Sequence, residues 1–149
     1  MRIHDSIKQA EFESPQNKAW INLMFTYHHM MDRSRQVFKK FGITQQQYNV
    51  LRILKGRKNE PATCGEVKRV MLDKNPDLSR LGDRLVLKGL VTREVNNDNR
   101  REVMLSITKK GLELLDAIYA PLKETVRMED ALTNQEAEQL SDLLDKLRE

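Results

Sequence analysis

A mainly helical chain carrying one small β-hairpin is the fold class this sequence predicts, and three features predict it. Aromatic residues are few, while Leu, Lys, Glu and Gln are plentiful, a composition that favours helix over sheet. Three capping boxes open at Thr44, Thr63 and Thr133. In each, the threonine hydroxyl and a Gln or Glu three residues on satisfy one another's free backbone donors. Two β-prone runs, Leu90–Val95 and Val103–Ile107, enclose the turn-forming stretch Asn96-Asn97-Asp98-Asn99-Arg100-Arg101, which reads as a hairpin. With 149 residues the chain is near the modal size for one domain and can bury a core.

Taken in order, Met1–Glu13 shows no sustained period and predicts an arm or a short helix. Ser14 then caps a long helix with Pro15 at its first position, ending before Gly42. Trp20, Met24, Tyr27, Met31 and Phe38 mark one face of it, too long and too apolar for one small module to cover. The Thr44 box opens a second helix, continued by Tyr48, Leu51 and Leu54 to about Lys55. GRKNEPA, residues 56–62, reads as a polar loop. The Thr63 box opens a short third helix with Val67, Val70 and Met71 inward. Asn75 as N-cap and Pro76 at the first helical position start the next helix, which runs to Lys88. Leu78, Leu81 and Leu85 form its apolar face, and Ser79, Arg80, Asp83 and Arg84 point away from it. Gly82 lies on the apolar side at a cost of about 1 kcal/mol relative to alanine, which close packing against a neighbouring helix would explain. Gly89 ends the helix in the left-handed conformation open to glycine. Helix, turn, helix and two-stranded wing together make a winged helix-turn-helix.

Thr108 caps a further helix whose apolar residues, Leu112, Leu115, Tyr119, Leu122 and Val126, alternate in steps of three and four. The helix opened by Thr133 continues with Ala137, Leu140, Leu144 and Leu147. Nothing further in the chain is left to bury these stripes. A two-fold homodimer covers them; the alternative is that they close on each other within one subunit. The expected organisation is a single domain, 1–149, with a winged helix-turn-helix over 43–108 flanked by dimerisation helices over 14–41 and 109–149.

The net charge of +4 is unevenly spread. Ile43–Gly111 carries 15 Lys/Arg against 8 Asp/Glu, net +7, and the remainder 11 against 14, net −3. A basic centre between acidic flanks suits a phosphate-binding module on a separate scaffold, although a solvated lysine-rich surface shows the same excess. Arg80 and Arg84, four apart, share one helix face and can reach guanine O6/N7 or phosphates in a major groove, with Ser79 a weaker candidate. The competing reading is a surface ion-pair cluster with Asp77 and Asp83.

At this point the sequence resembles the MarR family of winged-helix transcriptional regulators. The resemblance rests on LSRLGDRLVLKGLV, on the tip Asp98-Asn99-Arg100-Arg101, and on LSITKKGLELL. These follow the family's Leu-…-Lys-Gly-Leu-Val run, Asp-x-Arg-Arg wing and Leu-Thr-x-x-Gly helix opening, with Ile107-Thr108 in place of Leu-Thr. It implies that Asp98 braces the hairpin, that Arg100 enters the minor groove, and that Arg101 serves the backbone or the brace. It also implies a sequence-specific regulator that binds pseudo-palindromic double-stranded DNA as a homodimer, modulated by a small aromatic or lipophilic effector. Met24, Tyr27, His28 and Met31 are candidates to line that effector's pocket; the same group also suits plain core or dimer interface.

Other chemistry finds little foothold. No phosphate loop, nucleophile elbow or metal-ligand spacing occurs, so neither an enzyme nor a cofactor is expected. His28 and His29 are adjacent and cannot clamp one metal as an i, i+4 pair would. Cys64 is the one cysteine, which fits a reducing cytoplasm, and a packed thiol is favoured over a redox sensor. No apolar run is long enough to span a bilayer, and no signal-peptide pattern opens the chain. The rival function is a winged helix used as a protein-interaction module without operator binding.

Overall fold

The computed structural model describes residues 2–58, 60–73, 76–96 and 102–149. A short helix α1 (Ile3–Ile7) precedes the long α2 (Pro15–Lys40), whose first turn is capped by the Ser14 hydroxyl accepting from Asn17 N at 3.0 Å. Gly42 follows at φ +68°, and the Thr44–Gln47 capping box opens α3 (Gln45–Gly56). The Thr63–Glu66 box opens α4 (Cys64–Val70), and α5 (Leu78–Leu87) is the second helix of the helix-turn-helix. Strands β2 (Val91–Val95) and β3 (Val103–Ile107) form the antiparallel wing, followed by α6 (Lys109–Val126), α7 (Met128–Ala131) and α8 (Asn134–Lys146).

Residues 56–62 are not wholly loop. Ala62 and Thr63 form β1, pairing with Leu105 and Met104, so the sheet order is β1-β3-β2. Ala62 is fully buried, and the short strand covers what would otherwise be an open edge of β3. The core joins α2, α3, α5, α6 and the sheet through Phe38, Val50, Leu51, Leu54, Leu85, Leu105 and Ile118.

Several expectations shift. The α5 cap is Asp77, whose carboxylate accepts from Arg80 N at 3.1 Å; Pro76 lies before the cap, buried, and Asn75 is outside the described residues. Asp77 sits three residues before a free N–H, the geometry a cap requires, so it displaces the earlier candidate. Val70 is exposed, because α4 stops there and only Val67 and Met71 reach the core. Leu115 is 3% exposed and belongs to this chain's own core, since α6 packs its inner face on α2 and α3.

Gly82 packs on a strand, not a helix: a Cβ there would meet Leu105 Cδ2 and Cδ1 at 3.6 and 3.7 Å, ordinary contact distances. Gly82→Ala should therefore raise stability by about 1 kcal/mol through helix propensity. A melting temperature that falls would show that the Leu105 contact tolerates no methyl group.

The capping carboxylates Glu66 and Glu136 are held below the usual carboxylate range, chiefly by hydrogen bonds from Thr63 and Thr133. Lowered values mean that their contribution is complete above the ordinary glutamate range. It fades as pH falls through the lowered values.

Candidate nucleic-acid interface

Leu78, Leu81, Gly82 and Leu85 are buried on one side of α5, which leaves Ser79, Arg80, Asp83 and Arg84 exposed on the other. The two arginines share that face with carboxylates, yet both carboxylates are already engaged. Asp77 caps the helix, and Asp83 pairs with Arg93 of β2. Among the described residues, neither Arg80 nor Arg84 forms an ion pair. The local ion-pair cluster weighed against DNA contact is thus not formed by these two arginines. Two exposed arginines, one turn apart, stand on the solvent side of α5.

The Asp83–Arg93 pair is a link that sequence reasoning missed. It ties the second helix of the helix-turn-helix to the wing across ten residues, so that helix and hairpin are held as one surface. Lys68 and Arg69 add exposed cations in the last turn of α4, which packs against α5. Their signal was their place at a helix C-terminus, where cations are common for electrostatic reasons as well.

The C-terminal end of α5 is anchored from three sides. Gly89 takes φ +69°, and its carbonyl accepts from Thr108 Oγ1 at 2.8 Å. Lys110 Nζ donates to the Lys88 carbonyl at 2.8 Å, and Lys88 Nζ donates to the Gly42 carbonyl at 2.8 Å. The last bond joins α5 to the α2–α3 corner.

The MarR family model matches residues 43–103. A MarR transcription factor from Planctomyces limnophilus, known as a crystal structure, is 30% identical; the match covers 93% of this chain and 98% of that one, at TM-score 0.69. The chain belongs to the MarR family. Members of the MarR family are transcription regulators and not enzymes. The transcriptional repressor MprA of Escherichia coli (strain K12) is 24% identical over 119 residues, 79% of this chain and 68% of the repressor. The S. aureus MepR–DNA complex shares the MarR fold with this chain at 24% identity and TM-score 0.76, covering 92% of this chain and 97% of that one.

Within this MarR-family chain, Asp98, Arg100 and Arg101 lie outside the described residues. The four pocket candidates follow one another at helical spacing along one side of α2, where the Tyr27 and His28 rings meet edge to face at 5.5 Å between centroids. An open groove of about 1060 Å³ lies between α2, α3 and the α4–α5 link, lined by Tyr27, Phe38, Ile43 and Met71 with Arg35 and Lys39 at its rim. Tyr27 lines it, and Met31 stands beside it, accepting from Gln45 Nε2 at 3.4 Å. Met24 and His28 continue the same side of α2 and are exposed. Cys64 packs against the core, and burial pushes its thiol up, partly offset by Arg93. A thiol held protonated is a poor nucleophile. No helix among the described residues is long and apolar enough to cross a membrane.

Proposed function

We infer that this MarR-family regulator acts in the cytoplasm as a homodimer that binds a pseudo-palindromic double-stranded DNA site. Residues 43–108 form the reading head, with α5 in the major groove and the wing in the flanking minor groove. Residues 14–41 and 109–149 form the dimerisation scaffold. The observation that carries the reading is the pair Arg80 and Arg84, exposed on one face while Asp77 and Asp83 are occupied elsewhere. Ser79 shares that surface. The roles of Asp98, Arg100 and Arg101 at the wing tip rest on the family resemblance.

The experiment is a salt titration of binding to a duplex selected from random DNA. Affinity should fall linearly in log–log form, with a slope of about −0.9 per phosphate contact. Arg84→Ala should cost about 1–3 kcal/mol on the selected duplex and relax preference at one position. An equal loss on selected and random DNA would reassign Arg84 to a phosphate. The rival protein-interaction module predicts no sequence preference at all.

The dimer reading is supported by α8, which buries none of its residues in its own chain, and by Trp20 on α2, 61% exposed. The effector reading is supported by the groove. Its largely apolar walls suit a small aromatic or lipophilic compound. Gly42 lines the groove, and its carbonyl holds Lys88 at the end of α5, so a ligand that moved this corner would move the reading helix.

A further inference from the structure

Leu87, the last residue of α5, keeps 86% of its surface in water, more than any other large apolar residue described. At about 100° per residue it points within roughly 10–20° of the direction opposite the buried Leu78–Leu81–Gly82–Leu85 face. It is thus at the centre of the solvent face, about 20° around the helix from Arg80. Helical side chains lean toward the N-terminus, so Leu87 lies over the turn that holds Asp83 and Arg84.

A leucine in this position contributes nothing to the chain's own core. Most of the exposed large apolar residues lie on α2, α6 and α8, with Val70, Leu72, Val86 and Val95 as further ones on the reading head. Of the charged groups beside Leu87, Asp83 is neutralised by Arg93, whereas Arg80 and Arg84 are not ion-paired among the described residues, so the uncompensated charge there is positive. Its occupant must therefore be anionic around an apolar point. A DNA major groove offers that combination in one chemical feature, the C5-methyl group of thymine framed by two phosphate backbones. Resting on the DNA-reading function above, we propose that Leu87 packs on a thymine methyl and is a specificity-determining residue of α5. Seven residues separate it from Arg80, about 10 Å of helix, so the thymine lies about three base pairs from the base pair that Arg80 addresses.

The test replaces thymine by uracil, which removes the methyl group and keeps the pairing, at each position of the selected duplex in turn. Binding of wild type and Leu87→Ala is read by fluorescence anisotropy. One position per half-site should weaken the wild type about fourfold, the worth of one buried methylene, and should leave Leu87→Ala unaffected. Because Leu87 is exposed, the variant should melt with the wild type; the scan on wild type alone also locates the methyl contact without any variant. If no uracil position separates the two proteins while both still prefer the selected duplex, the thymine contact is refuted and the DNA-reading function stands. A uniform loss in Leu87→Ala, equal for thymine and uracil duplexes, marks a sugar or backbone contact and also refutes it. Wild type that binds selected and scrambled duplexes alike removes the DNA-reading function and this contact together.

Discussion

The double variant Leu140→Glu/Leu143→Glu should sediment as a monomer of 17.5 kDa where the wild type sediments at twice that mass. Both leucines stand on α8, Leu143 56% exposed, on a helix with no fully buried residue in its own chain. Glutamate in water on a helix surface loses little, so helicity and the melting of the isolated subunit should persist. Across a two-fold interface the same change puts carboxylates against apolar surface and against their own copies, which is strongly unfavourable. DNA binding should fall by about two orders of magnitude or more, because a dimer engages its second half-site at high effective concentration. Half-sites selected by the wild type should lie about one helical turn apart, roughly 10 bp. Light scattering that still reports a dimer for the double variant would place the interface elsewhere. Leu115→Glu is unsuitable for this purpose, because Leu115 is inside the subunit and its loss would unfold the chain.

Gly111→Ala should be a strongly damaging single-methyl change at the junction where α6 meets the reading head. Gly111 is the third residue of α6, where its N–H donates to the capping Thr108 Oγ1 at 3.1 Å. A Cβ there would run into the Leu90 carbonyl oxygen and approach Ile107 Cγ1 to 2.8 Å. The oxygen has no room to retreat, since it accepts from Thr108 N at 3.1 Å and belongs to the junction between α5 and β2. Overpacking of this kind costs about 1–3 kcal/mol, so the melting temperature should drop by roughly 5 °C or more. Gly82→Ala is the internal comparison, with the opposite sign. If Gly111→Ala melts at the wild-type temperature, the close approach of α6 to Leu90 is not a constraint on the fold.

The sequence by itself determined the features that depend on residues within a turn of one another. Thr44, Thr63, Thr108 and Thr133 cap where their spacing says they should. The two wing strands appear within one residue of their expected limits, and Ser79, Arg80 and Arg84 stand outward as the period of α5 requires. Capping and periodicity are local energies, so they are legible from local residues. The start of α5 is the exception: Asn75 and Pro76 read as its cap and first residue, yet Asp77 holds the cap position, its carboxylate accepting from Arg80 N.

Only the tertiary structure decided the rest. The Asp83–Arg93 pair forms because the chain reverses at Gly89 and returns β2 beside α5. That pairing is what leaves Arg80 and Arg84 unpaired among the described residues, and no spacing rule predicts it. Ala62 joins a sheet because β3 had an edge to fill. Leu115 and Leu143 carry the same side chain on helices of similar pattern, yet one is core and one faces water. The difference lies in what stands opposite: α6 has α2 and α3 to pack against, while α8 has no such cover within its own chain. Periodicity says which residues share a face, and only the arrangement of other elements says whether that face is covered.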